Sequence, residues 1–471
     1  MAFIDRAEEI AFFSRLQKRG GSQLILLFGR RRIGKSALMR HWAETSGIPH
    51  TYWAAAKEPA ALQRRKLFNA VFGSPAGKDF ETWADCFDAV AQALGDRRHI
   101  LLLDELPYAA EVDPAVLSSL QNAWDHQFKK EQAIIVLCGS HVNVMERLLA
   151  LHSPLYGRFT GQWRLGPLAF RALAAFSSRW TTEERVAIYA TVGGTPAYLE
   201  WLDPKLSYND NLRHVLLAPG SLFAAEPEFL LQDELREPRN HLAILRAIGA
   251  GAHTLADIQQ ATTIEKTHLA SYLSRLQELY LVERRIPATV HPRERERSRK
   301  GRYHLADPYF RFYFRFLGPH IEDLAYKPEQ VLPGIYQQLK AHVGLSAWEE
   351  LSRQWVDWAA DAGKLGFMPE KIGAHWGDGV QIDVVAVNWT QKQLLLGESR
   401  WGREPAGPGM LRDLITKAGR VVPGEDWQVR YALFSRAGFT APACREAETV
   451  DAFLIDLEAL DAAIGQSSQS V

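Results

Sequence analysis

Phe28-Gly29-Arg30-Arg31-Arg32-Ile33-Gly34-Lys35-Ser36 decides how the chain is read: an apolar run ends there and G-x-x-x-x-G-K-S begins. Upstream, Leu24-Ile25-Leu26-Leu27-Phe28 predicts a buried strand; downstream, Ser36-Ala37-Leu38-Met39-Arg40 predicts a helix. A glycine-rich turn between a strand and a helix start aims backbone N–H groups at one point, where a polyphosphate binds. Gly29, Arg32, Gly34, Lys35, Ser36 and Ala37 are therefore the candidate nucleotide-binding residues, with Ser36 also a candidate metal ligand.

Working outward, a chain of 471 residues exceeds the size one core usually reaches, so about two to four domains are expected. With 55 basic and 55 acidic residues the net charge is zero, which leaves any nucleic-acid contact to a local patch. Cys86, Cys138 and Cys444 match no C-x-x-C spacing, against a disulfide scaffold or zinc knuckle. Met1-Ala2-Phe3-Ile4-Asp5-Arg6 is not a signal peptide and no apolar run of about 18 residues is present, so a soluble, cytoplasmic protein with no membrane partner is expected.

Phe3 to Gln17 predicts an opening helix with Ile10, Phe13 and Leu16 on one face, followed by a strand at His50–Ala54 and a helix from Phe80 to Leu94. Ile100-Leu101-Leu102-Leu103-Asp104-Glu105 then reads as a strand ending in two carboxylates. Behind a phosphate loop, Asp104 can hold Mg²⁺ and Glu105 can polarise the attacking water. A further strand, Ala133–Cys138, ends in Gly139-Ser140; Ser140 can sense the γ-phosphate or simply cap the next helix. Arg158 can reach a γ-phosphate in its own or a neighbouring subunit, or be a surface charge. No N-K-x-D-like motif follows, which favours ATP over GTP.

Phe3-Ile4-Asp5-Arg6-Ala7-Glu8-Glu9, the Gly29–Ser36 loop, Leu103-Asp104-Glu105, Gly139-Ser140 and Gly193-Gly194-Thr195-Pro196-Ala197-Tyr198-Leu199 together resemble the archaeal-type P-loop ATPases, grouped with the AAA+ and STAND signalling ATPases. The resemblance implies a parallel sheet with the magnesium strand beside the phosphate-loop strand, and a helical lid. It also implies that Arg6 and Pro196 lie near the nucleotide. Asp5 stands where that family usually has glycine.

Residues 168–238 read as the helical lid. Helices at His241–Ile248, Leu255–Ala261 and Glu265–Leu279, then strands at Tyr280–Ile286 and Gly301–Leu305, predict a winged helix over 239–306, with Thr263 capping the longest helix. From Arg293 to Lys300 its wing carries five basic and two acidic residues, suited either to DNA or to a protein-contacting or solvated hairpin. Asp307-Pro308-Tyr309-Phe310-Arg311-Phe312-Tyr313-Phe314-Arg315-Phe316 can stack on bases, but a buried helix within a 307–332 linker explains it at less cost.

From 333 to 471 the pattern is α/β. Val380–Val387 and Gln393–Arg400 predict a hairpin that sets Asp383 beside Glu398, where two carboxylates can hold a divalent metal. The spacing resembles the PD-(D/E)XK nuclease fold, which implies a metal set of Glu349, Asp383 and Glu398 in a restriction-endonuclease-like domain. Arg400 stands in the lysine position and cannot readily release a proton, so Lys417 on the following helix is the candidate amine. The resulting expectation is an α/β P-loop NTPase with ATP and Mg²⁺ as cofactors, acting as a switch or motor on a nuclease-like domain. DNA is the expected partner, through the winged helix and C-terminal domain, and a homo-oligomer is allowed for. The rival expectation is a signalling ATPase whose degenerate C-terminal domain only docks proteins or assembles oligomers.

Overall fold

Leu24 to Phe28 is buried at every position, as a strand covered on both faces must be. The computed structural model describes residues 3–73, 79–95, 97–130, 132–235 and 238–465, which form two compact units. The first comprises Met1–Leu168 with Thr195–Ala197, the second Ala169–Gly194 with Tyr198–Val471.

In the first unit β1 (Gln23–Phe28), β2 (His50–Ala54), β3 (His99–Asp104), β4 (Ala133–Gly139) and β5 (Gly161–Arg164) make a parallel sheet in the order β2-β3-β4-β1-β5. This corrects the strand order implied by the family resemblance. The strand expected to hold magnesium, β3, is not beside β1, because β4 stands between them and pairs with both. The insertion puts the end of β4, and hence Ser140, between the phosphate loop and the carboxylates.

The opening helix runs Ala7–Lys18 and buries Phe13 and Leu16 in the sheet's core, with Ile10 packed at the edge. It starts late because Asp5 (φ 58°) and Arg6 (φ 74°) are both left-handed. Glycine reaches that region freely, and aspartate is among the side chains that tolerate it best. The usual family glycine and the Asp5 of this chain thus meet the same backbone demand.

In the second unit, helices Pro238–Gly249, Leu255–Thr262 and Lys266–Glu278 precede an antiparallel hairpin of β6 (Val282–Arg285) and β7 (Arg302–Leu305). Thr263 does not cap the longest helix: it adopts φ 57° and closes the preceding one, while Glu265 takes the N-cap position. The aromatic run forms helix Pro308–Phe312 and the π turn Tyr313–Leu317, and its six rings at 309, 310, 312, 313, 314 and 316 are buried. It is core, not a base platform.

A long helix, Pro328–Val343, contains Pro333 and leads through a π turn into helix Glu349–Asp361. A five-stranded mixed sheet follows. Strands β8 (Lys371–Gly377), β9 (Val380–Asn388) and β10 (Gln393–Arg400) form an antiparallel meander. After helix Gly409–Ala418, β11 (Gln428–Ser435) and β12 (Phe453–Asp456) add in parallel, giving the order β12-β11-β10-β9-β8. Part of the expected lid, helix Thr182–Val192, is joined to this C-terminal region: Arg185 pairs with Asp461 at 2.6 Å and Glu183 with Arg436 at 2.6 Å.

The loop from β6 to β7 lies on the mixed sheet. The Trp376 indole N–H donates to the Lys300 carbonyl (2.8 Å), Thr289 Oγ1 meets His375 Nδ1 (2.6 Å), and the Ala288 N–H donates to the Ala374 carbonyl (2.8 Å).

Candidate functional site

At the phosphate loop the glycines are forced by space. A Cβ on Gly29 would stand 2.4 Å from the Leu165 carbonyl oxygen and 2.5 Å from Ile33 Cδ1, and Gly34 has φ +88°. No other residue fits the first position without moving backbone. Arg32 is left-handed (φ 67°), and Gly34 leads directly into helix Lys35–Thr45. Pro196 Cγ would lie 3.7 Å from a Cβ on Gly34, and the Ala197 N–H donates to the Arg32 carbonyl at 3.4 Å, so the Thr195–Ala197 turn closes on the loop.

Lys35 is buried, with Nζ 2.8 Å from the Arg30 carbonyl, folded across the mouth of its own loop. Ser36 Oγ donates to Asp104 Oδ2 at 2.5 Å, joining the helix start to the end of β3 across the intervening strand. The Tyr52 hydroxyl donates to the same oxygen at 2.8 Å; burial, then the Asp104 charge, pushes its pKa up. Glu105 has φ 49°, and its Oε2 accepts from the Ser140 N–H (3.0 Å) and hydroxyl (2.9 Å). Ser140 is therefore tied to Glu105, and the next helix takes His141 as its N-cap with no side-chain cap. Ala37 lies in the first turn of the Lys35–Thr45 helix.

Arg6 is buried behind the loop, donating to the carbonyls of Ile33 (3.0 Å) and Gly166 (2.8 Å) and pairing with Glu9 at 2.9 Å. It braces the loop. Arg158 grips Asp125 with Nε and Nη2 at 2.7–3.0 Å and donates to the Pro154 carbonyl. The donor set fits a nucleotide with its cation: a glycine cradle, a lysine, and a hydroxyl on a carboxylate.

In the second unit a helix, two strands and a further helix converge. Asp383 on β9 accepts from the Ser399 N–H of β10 at 3.1 Å, and its carbonyl accepts from Arg353 at 2.8 Å. Glu398 on β10 pairs with Lys417 of helix Gly409–Ala418 at 2.5 Å. Glu349 faces Arg353 one helical turn on, at 3.5 Å. Burial first, and then the charge of Asp383, pushes both Glu349 and Glu398 up to about 7. Asp383 thus stands near both glutamates, each of which faces its own cation. Among the described residues no three His, Cys, Asp or Glu side chains are gathered tightly enough to hold a metal ion. Arg400, in the expected lysine position, is exposed.

Two residues of these sites escaped the sequence reading. Tyr52 carries no local signal, because only the pairing of β2 with β3 brings it to Asp104. Arg353 did carry one, its i+4 spacing from Glu349 on a helix.

A family profile described as an ATPase domain predominantly from Archaea matches residues 3–202. A second, of archaeal and bacterial proteins of unknown function, matches residues 313–407. An uncharacterised protein of Methanocaldococcus jannaschii is 31% identical over 462 residues, spanning 97% of this chain and 99% of its own. An uncharacterised ATP-binding protein of the same organism is 39% identical over 46 residues, 10% of this chain and 78% of that protein. Among solved structures, a Walker-type ATPase of Pyrococcus abyssi is similar over 66% of this chain and 96% of its own, with 20% identity and a TM-score of 0.49.

Proposed function

This chain belongs to the family of ATPases found predominantly in Archaea, and from that premise we propose that its P-loop ATPase unit is a switch or motor whose output is a nuclease-like C-terminal domain acting in DNA transactions or defence. The hydrogen bond from Ser36 to Asp104 carries the ATPase half of this reading. Ser36 and Asp104 would hold Mg²⁺, which when bound screens and orients the phosphates. Lys35 exchanges the Arg30 carbonyl for a phosphate oxygen, gaining a charged partner in place of a neutral one. Glu105 orients the attacking water and accepts its proton once Ser140 gives it up.

For the output half, the carrying observation is that Asp383 bonds to Ser399 next to Glu398, which holds Lys417, while Arg353 joins the Asp383 carbonyl to Glu349. Support also comes from the element order: a helix, a three-stranded antiparallel meander, a helix, and a strand parallel to the third. Glu349 and Glu398 would have to leave Arg353 and Lys417 and draw in towards Asp383 before the three could hold a divalent cation, which would activate water against a phosphodiester. Lys417 supplies the ammonium that Arg400 does not, close enough to stabilise charge on the reacting phosphate. The three-helix and β6–β7 segment is read as a winged helix that presents nucleic acid to this site. A second reading, a signalling ATPase whose C-terminal domain only docks partners or assembles oligomers, draws on the exposure of Arg400 and the separate pairing of the two glutamates.

The test is to incubate the purified protein with plasmid and with single-stranded DNA or RNA, plus Mg²⁺ or Mn²⁺, with and without ATP. Asp383→Ala and Lys417→Ala serve as controls. Cleavage that disappears in both variants is the expected result. No cleavage under any combination removes the nuclease half, and full ATP hydrolysis by Lys35→Ala removes the ATPase half.

A further inference from the structure

A cavity of about 650 Å³ opens between the β6–β7 hairpin and the β8–β9 edge of the mixed sheet, with helix Glu349–Asp361 as its floor. Its lining holds seven arginines and lysines against four carboxylates. Three of those carboxylates are already engaged: Glu283 with Arg285 at 2.5 Å, Glu350 with Arg311 at 3.3 Å, and Glu349 with Arg353 at 3.5 Å. Arg302 and Lys371 pair with no carboxylate among the described residues. Arg302 instead lies over the Trp376 ring, 5.1 Å from its centroid, and Lys371 is exposed on the edge strand. His304 belongs to the same lining. Burial first, and then Arg285, His253, Arg311 and Arg302, depress its pKa to about 2.

An excess of cations around a cleft of this size selects a polyanion. Arg353 lines the cavity and donates to the Asp383 carbonyl, and Glu349 lines it as well. Glu349 and Arg353 thus join this lining to the neighbourhood of Asp383, which itself lies outside it. An arginine stacked on a tryptophan offers a flat surface to an exposed base, which suits an unpaired strand better than a duplex whose bases are already stacked.

We propose that this cavity receives an unpaired nucleic-acid strand, its phosphates held by Arg302 and Lys371 and a base laid on the Arg302–Trp376 pair, leading the strand towards Asp383 and Glu398. The direction of travel rests on the nuclease-like reading above; the binding itself does not.

The test is fluorescence anisotropy of a labelled single-stranded oligonucleotide, in DNA and RNA versions, with the full-length protein in chelator so that no cleavage intervenes. Lys371→Glu changes an exposed side chain, and a melting curve checks the fold of that variant and of Arg302→Gln. Both variants are expected to bind the strand at least about tenfold more weakly. Arg302→Gln should also show a salt slope shallower by about one. Unlabelled duplex, inorganic phosphate and ATP should compete poorly. Unchanged binding in Lys371→Glu, or equal displacement by duplex, phosphate or ATP, would overturn the proposal. Asp383→Ala separates the two readings, since it should abolish cleavage yet bind the strand as the parent does. A parent protein that never cleaves, but loses strand affinity in Lys371→Glu, leaves the cavity standing and removes only the nuclease.

Discussion

Ser140 turns two donors, its backbone N–H and its hydroxyl, onto one oxygen of Glu105 at 3.0 and 2.9 Å. A carboxylate so held has less freedom to orient water, and its release is a natural step in a hydrolytic cycle. Glu105→Gln is expected to lower ATP turnover by about 10²–10⁴-fold, the usual worth of a general base, while leaving nucleotide affinity within a few-fold. Ser140→Ala keeps the backbone donor and should change turnover by about tenfold or less. Phosphate release, measured beside fluorescent-nucleotide binding, distinguishes these outcomes; parent-like turnover in Glu105→Gln would rule Glu105 out as the base.

Tyr52 shares one Asp104 oxygen with Ser36. A hydrogen bond to a charged acceptor contributes about 1.5–3 kcal/mol. Removing it in Tyr52→Phe should raise the Mg²⁺ concentration for half-maximal hydrolysis by about tenfold or more, with maximal turnover less affected. An unaltered Mg²⁺ titration would place Tyr52 outside the metal's surroundings.

Glu349 and Glu398, pushed up to about 7, carry a pH signature. Their folded-state pKa lies above the ordinary 4.5, so the folded protein binds more protons than the unfolded chain between those values. Their contribution to stability is fully present below pH 4.5 and is lost as pH rises through about 7. In chelator, the melting temperature of the second unit should therefore fall across that interval, and the fall should flatten in Glu349→Gln/Glu398→Gln. A divalent cation should restore stability at pH 8 in the parent only. Calorimetry at several pH values provides the check.

Phe312 is fully buried and Arg315, three residues later, is exposed. Phe312→Ala is expected to cost about 3–5 kcal/mol of stability through the cavity it leaves. Arg315→Ala should stay within about 0.5 kcal/mol. Denaturant titration measures both; similar small effects would contradict the assignment of this run to the core.

The first β-strand, its loop and the helix after it were legible because periodicity and glycine placement are local properties of the chain. Strands β2, β3, β4 and the β9–β10 hairpin were legible for the same reason. Strand order was not: β4 standing between β1 and β3 is a matter of pairing between distant segments, and no residue of β4 declares its neighbours. Thr263 misled because threonine caps helices well, whereas its left-handed backbone here ends one. At the candidate sites, residue types in a motif could be named in advance, including Lys417. Partners set by tertiary packing, such as Tyr52 on Asp104, could not. The same limit hid the seating of the β6–β7 loop, whose charge pattern suits DNA, a protein surface or solvent alike, whereas the Trp376 indole bonds to its Lys300 carbonyl.

That seating bears on how the protein can be taken apart. The loop takes indole, hydroxyl–imidazole and main-chain contacts from β8, a strand that begins at Lys371, well beyond the end of the hairpin. A fragment stopping after β7 would leave the loop's polar groups facing water and strip the cover from Ala288, which is buried in the mixed sheet's core. A fragment beginning after β7 would bare the matching patch on the sheet. Neither piece should fold as it does in the whole chain, so the three-helix segment and the mixed sheet are best expressed and inherited together.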